Sequence, residues 1–238
     1  MASVIRLYVD HPLGVGQSVP LNREQSHYLF GVMRRGVGEV IELFNGIDGE
    51  WLARVVQAGK RNAILLCESK SKPMMLPPDL WMMFAPIKKA RTDFIVEKAT
   101  EMGAAQILPV QTDFTNSERI RQDRLQNHAV EAAEQCGGTY VPPVMELQKL
   151  SKLLDGWDDR HIMFCDENRV GEAVALSQQP GPWAILIGPE GGFSPAERER
   201  LEAMPQAQGV SLGPRILRAD TAAVAALALW QTSLGDWQ

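Results

Sequence analysis

The chain has 238 residues, of which 45% are hydrophobic and 22% charged, and a formal net charge of −5. This composition is ordinary for a soluble globular protein with one large domain or two small ones. The acidic balance taken alone argues against a nucleic-acid partner. The longest apolar run, Ala222–Trp230, is far too short to span a bilayer, and Cys67, Cys136 and Cys165 form no CxxC pair.

Charge is unevenly spread: residues 1–72 hold nine Lys/Arg against seven Asp/Glu, a small basic bias that permits RNA binding. No basic start followed by an apolar run occurs, so no signal peptide is expected, and the isolated cysteines suit a reducing cytoplasm.

In chain order, Val4–Val9 reads as a strand. Asn22 with Gln25 reads as a capping box opening a helix that carries His27 and ends near Arg34-Arg35-Gly36. Glu39–Phe44, Glu50–Gln57 and Asn62–Glu68 follow as strands, with turns at Asn45-Gly46 and Gly59-Lys60-Arg61. Their natural assembly is a small β-rich barrel with one helix. Ser69–Asp79, rich in lysine, serine and proline, reads as a linker and predicts domains at 1–72 and 73–238.

Beyond it, apolar strands alternate with helices. Leu80–Ala85 precedes a helix over Lys88–Met102 that Gly103 stops, and Gln106–Val110 precedes a helix carrying Leu125, Ala129, Ala132 and Cys136. His161–Cys165, Trp183–Ile187 and Gly209–Leu212 complete the strands of a parallel α/β sheet covered by helices.

The chemistry concentrates after the last two strands. Ile187–Ser194 (IGPEGGFS) leaves a buried strand through glycines and enters a helix through a capping box of Ser194, Pro195 and Glu197. Leu212–Ala222 (LGPRILRADTA) repeats the plan. Two glycine-rich strand exits describe a crevice at the carboxyl edge of the sheet, where ligands bind in such folds. Neither GxGxxG nor GxxxxGK[ST] is present, and cations are few, which disfavours dinucleotides and polyphosphates. Backbone polar groups flanked by Ile187, Leu212, Ile216 and Leu217 suit a flat, mostly neutral purine. The four histidines are scattered, and no cluster has metal-ligand spacing.

IGPEGGFS and LGPRILRADTA together resemble the signature of the ribosomal RNA small subunit methyltransferase E family. His27–Arg34, Phe44–Gly46, Lys88–Gly103 and Glu131–Gln135 resemble further blocks of that family in the same order. The resemblance covers nearly the whole chain. It implies a C-terminal sheet of the SPOUT class with a deep trefoil knot, an N-terminal PUA-like RNA-binding barrel, and a likeness in oligomeric state, a homodimer. It also implies S-adenosylmethionine as cofactor and methylation of N3 of a uridine in 16S rRNA. Two departures stand out: Asp220 where the family usually has glutamate, and Gly138 where it commonly has an arginine. Rival readings are a SPOUT-class enzyme with another RNA target and a catalytically silent RNA-binding or ribosome-assembly protein. The N-terminal blocks count against the first, and the intact C-terminal loops against the second.

The resemblance places the cofactor against Ile187, Gly188, Pro189, Glu190, Gly191, Gly192, Leu212, Gly213, Ile216, Leu217, Arg218 and Ala222. Arg218, Asp220 and Arg6 are the catalytic candidates. Arg218 either stabilises charge on the uracil or pairs with Asp220 or Glu190, and Asp220 accepts a proton, holds Arg218 or, as its ordinary role, caps a helix. Glu190 either offsets the sulfonium charge, binds the cofactor amino group or pairs with a neighbouring arginine. RNA candidates are Arg6, His27, Arg34 and Arg35 in the N-terminal half, and Lys88, Lys89, Arg91, Arg119, Arg121 and Arg124 beyond it. Arg6 and Arg34 rank first, and His27 reads more readily as a packed histidine.

Overall fold

The computed structural model describes residues 5–116, 119–172 and 176–238, so Val4 of the first expected strand lies outside the described residues. The chain divides into two compact units, Met1–Leu76 with Ala133–Val141, and Pro77–Ala132 with Pro142–Gln238.

In the first unit, β1 (Arg6–Tyr8), β2 (Ser18–Leu21), β3 (Val40–Phe44), β4 (Glu50–Gln57) and β5 (Ala63–Lys72) form one mixed sheet in the order β1-β3-β4-β5-β2. Only the β1–β3 pairing is parallel. The sheet curls as a half-barrel around Leu7, Val19, Leu29, Leu43, Ala53 and Leu65. β2 escaped the sequence reading because Pro20 interrupts its pattern; the strand sits at the sheet edge, where proline's missing donor costs nothing. β5 runs to Lys72, so the unstructured linker begins at Pro73 rather than Ser69.

Helix α1 (Arg23–His27) opens with the expected capping box of Asn22 and Gln25. It continues into a single π-helical turn, Tyr28–Val32, and ends with Arg34 in the left-handed region at φ 54°.

The stretch 133–141 belongs to the first unit because Arg6 holds it there. The Arg6 guanidinium donates to the carbonyls of Ala133, Glu134 and Gly138 at 2.6, 2.9 and 2.8 Å, and to Glu50 Oε2 at 2.6 Å. It also stacks 4.5 Å from the centroid of the Phe44 ring. The Glu50 side chain is fully buried. Burial pushes its carboxyl up, but hydrogen bonds from Arg6, Ser71 and Lys72 outweigh that and hold it below the ordinary range.

In the second unit, β6 (Leu80–Phe84), α2 (Lys89–Glu101), β7 (Gln106–Gln111), α3 (Gln122–Cys136, whose last residues group with the first unit), β8 (Gln148–Lys149), α4 (Leu150–Asp155), β9 (His161–Cys165), β10 (Trp183–Ile187), α5 (Pro195–Ala203), β11 (Ala207–Val210) and α6 (Ala219–Ser233) follow in order. The sheet is wholly parallel, in the order β11-β9-β10-β6-β7-β8. Every residue of β10 is buried, as a central parallel strand requires. β11 begins and ends two residues before the expected Gly209–Leu212, leaving Ser211 and Leu212 to the loop. Gly103 stops α2 at φ 80°, as expected.

Replacing Arg6 with alanine would leave the Glu50 carboxylate buried and short of its main partner, a change that costs about 3–5 kcal/mol in comparable pairs. Arg6→Ala should lower stability by that order at neutral pH, read by urea unfolding with amide exchange in β3–β5. A depressed carboxylate stabilises the fold above its unfolded pKa and loses that contribution as pH falls through its folded pKa. The gap between mutant and wild type should therefore close on acidification below the ordinary glutamate range. A gap that is constant with pH would contradict the pairing.

Candidate active site

A cavity of about 310 Å³ opens at the carboxyl ends of β9, β10 and β11. Ile187, Gly188, Pro189, Glu190 and Gly192 line it from the loop after β10. Leu212, Gly213, Arg215, Ile216, Leu217 and Arg218 come from the loop after β11, with Ala219 and Ala222 from α6. The two sequence motifs thus share one site. Of the expected cofactor-contacting residues, Gly191 alone is absent from the lining: its missing Cβ would touch Phe114, at 3.6 Å.

The third wall, Cys165 at the end of β9 with Asp166, Glu167 and Val170 after it, is not among the residues the sequence pointed to. The signal was present: His161–Cys165 read as a strand, and a strand's carboxyl end is where this fold exposes ligand groups. Asp166 is buried and spent, accepting from Asn168 N at 3.0 Å and Arg198 Nε at 2.9 Å. Cys165 keeps a face on the cavity but is otherwise enclosed, and burial pushes its thiol up to about 12.

Each loop owes its shape to local chemistry. Gly192 donates to the carbonyl of Pro189 at 2.9 Å, closing a tight turn with φ 69°. A Cβ there would fall 2.7 Å from Glu167 Oε1, so glycine lets the two cavity walls approach each other. Ser194 caps α5 with the expected capping box to Glu197, and its hydroxyl also donates to Asp113 Oδ2 at 2.5 Å. Gly213 takes φ 113°, which turns the chain out of β11.

The catalytic candidates part company. Arg218, not Asp220, is the N-cap residue of α6; its side chain is exposed at the cavity and makes no ion pair or hydrogen bond among the described residues. Asp220 lies in the first turn, where its charge favours the helix dipole. Neither Asp220 nor Glu190 pairs with Arg218. Both face Arg91 of α2, whose Nη1 lies 2.8 Å from Glu190 Oε1 and whose Nε lies 3.6 Å from Asp220 Oδ2. Arg6 belongs to the first unit, its guanidinium fully engaged as described, which leaves a catalytic role without a free donor to perform it.

The RNA candidates sort by whether their charge is spent. Arg35 pairs with Glu39, Arg121 with Asp123 and Arg124 with Asp93. Lys88 and Lys89, at the start of α2, and Arg119 are exposed. Arg34 is exposed and without a partner among the described residues, beside exposed Tyr28, Val32 and Met33. His27 is exposed rather than packed in the core, its ring lying over Gly31. Among the described residues no group of three or more His, Cys, Asp or Glu side chains could hold a metal ion, and no helix is long and apolar enough to cross a membrane.

Residues 74–231 match the RNA methyltransferase domain and residues 21–66 the RNA methyltransferase PUA domain. A Bacillus subtilis protein named ribosomal RNA small subunit methyltransferase E is 30% identical, over 89% of each chain. The chain belongs to that family. A Rickettsia conorii relative of the same name is 29% identical, over 94% of this chain and 93% of its own. Among solved structures, the family's Neisseria gonorrhoeae protein bound to S-adenosyl methionine superposes with a TM-score of 0.88 at 29% identity, covering 99% of this chain and 100% of its own. A Legionella pneumophila methyltransferase in complex with the cofactor SAM gives 0.89 at 27% identity, again covering 99% and 100%.

The raised Cys165 thiol predicts inertness inside the cavity. Alkylation by iodoacetamide at neutral pH, followed by peptide mass spectrometry, should modify exposed Cys136 well before Cys165. Faster labelling of Cys165 would mean that its sulfur is ionised and open to solvent.

Proposed function

We propose that the chain transfers a methyl group from S-adenosylmethionine to N3 of a uridine in 16S rRNA of the small ribosomal subunit, in the cytoplasm and as a homodimer. The observation that carries this reading is the single cavity built from both loops of a chain in this family, with an unpaired arginine at its edge.

The cavity fits the cofactor. Ile187, Val210, Leu212, Leu217 and Ala222 offer apolar walls for an adenine ring, and Glu167 offers anionic charge to a sulfonium or an ammonium group. Bound there, S-adenosylmethionine supplies an electrophilic methyl group, so the protein's share is alignment and charge stabilisation. Arg218, lining the cavity, would hold the negative charge that spreads onto the uracil oxygens as N3 loses its proton to solvent water. In the knotted topology that this reading entails, the chain passes from β11 at the sheet edge back to α6, packed on β10 and α2 at its centre.

Arg34 takes RNA phosphate. Its left-handed backbone ends the helix, with Arg35 N donating to the Leu29 carbonyl at 2.9 Å, and leaves the guanidinium exposed and without a partner among the described residues. The neighbouring Tyr28 offers a stacking face for an unpaired base.

Losing one charge-assisted hydrogen bond costs about 1.5–3 kcal/mol. With purified small subunits and labelled cofactor, Arg218→Ala should lower turnover at saturating RNA, because its contact strengthens in the transition state. Arg34→Ala should raise the RNA concentration required and make the salt dependence of binding shallower. No labelled N3-methyluridine with the wild type would refute the reading, and exchanged phenotypes would reverse the two roles.

The dimer rests on α6. Ala222, Ala223, Ala226, Leu227 and Trp230 face inward, whereas Val224, Ala225, Ala228 and Leu229 form a half-exposed apolar stripe. On α2, which packs against α6, Phe94 is 38% exposed. A two-fold contact would bury both. Sedimentation at micromolar concentration should give twice the chain mass, and Leu229→Glu should shift it to monomer; a wild-type monomer would exclude the assembly.

A further inference from the structure

Arg91 occupies an electrostatically odd position. It sits in the first turn of α2 with Lys88 and Lys89 beside it and no acidic residue in that turn. Cations at the positive end of a helix dipole are disfavoured, so an arginine there needs anionic partners from elsewhere. It has two: Glu190 from the loop after β10, at 2.8 Å, and Asp220 from the first turn of α6, at 3.6 Å. Both carboxylates lie near Arg218: Glu190 lines the cavity with it, and Asp220 follows it by two residues in the first turn of α6.

We infer that Arg91 is a positioning residue that keeps Arg218 available by occupying Glu190 and Asp220, the carboxylates that would otherwise neutralise it. The inference rests on the proposed role of Arg218. A guanidinium suits the task because its several donors face two carboxylates from different segments at once, which a single ammonium does less well. The arrangement also ties both ligand loops to α2. Arg218 itself caps α6 through its backbone and has no side-chain partner among the described residues, which is the state a charge-stabilising group must hold before substrate arrives.

The test is a cycle measured with labelled cofactor and purified small subunits. Arg91→Ala should lower kcat about tenfold or more in the wild-type background, as Arg218 is drawn onto the freed carboxylates. In a Glu190→Gln/Asp220→Asn background, whatever its own activity, the same change should cost less than about twofold, because no carboxylate remains to capture Arg218. Arg91→Lys, which keeps a charge, replaces Arg91→Ala if the latter does not fold, and should show a smaller loss that vanishes in the same background. Equal kcat losses in both backgrounds would overturn the inference. So would an unchanged kcat with a higher RNA requirement, which would make Arg91 a phosphate contact. If wild type transfers no label, the functional reading fails separately. A crystal structure of the Arg91→Ala chain then decides the pairing, with Arg218 expected at ion-pair distance from Glu190 or Asp220 and refuted if it stays free.

Discussion

The site depends on β10 being clamped between two parallel neighbours. Its register with β6 and β9 runs unbroken from Trp183 to Ile187, and all five side chains are buried. Such a strand has no freedom to slip, because a shift would break its hydrogen bonds to both neighbours and exchange Trp183 and Ala184 for side chains of other sizes in close-packed space. Its end therefore stands at a fixed point in the middle of the sheet. From there the chain must leave at once, and the glycines and proline of residues 188–192 let it do so without crowding Phe193 or Glu167. The loops after β9 and β11, the strands beyond it on the same side, complete the cavity.

Around this frame the charges are divided between structural and free. Arg198 holds Asp166, Arg91 holds Glu190 and Asp220, and Arg6 holds Glu50 together with the 133–141 stretch. Arg218 and Arg34 are left without partners among the described residues. An arginine in an ion pair contributes to shape; one kept exposed and unpaired has its donors ready for an anion. Spacing in sequence cannot make that distinction. Arg35, one residue from Arg34, is committed to Glu39.

What the sequence made legible was local. Both capping boxes, the glycine stop of α2, the central strand and each glycine-rich exit follow from neighbours within a few residues. What it hid was long-range. Glu190 and Asp220 invite pairing with Arg218 by proximity, yet their cation comes from α2, 99 residues before Glu190. Arg6 reads as a basic side chain in an apolar strand, hence as an RNA contact. Its partners in the structure include a carbonyl 127 residues away, in the 133–141 stretch that groups with the first unit. Edge strand β2 was masked by Pro20, and β8, with two residues, is too short for any periodicity to register.

The crevice at the ends of β9, β10 and β11 is the proposed binding site of S-adenosylmethionine. Hydrogen exchange of the full chain with and without the cofactor tests it most directly. Cofactor bound there should slow exchange in residues 165–170, 187–193 and 212–222 and leave the first unit's strands unchanged. Saturable binding that protects some other surface, or leaves all three segments exchanging as before, would contradict it.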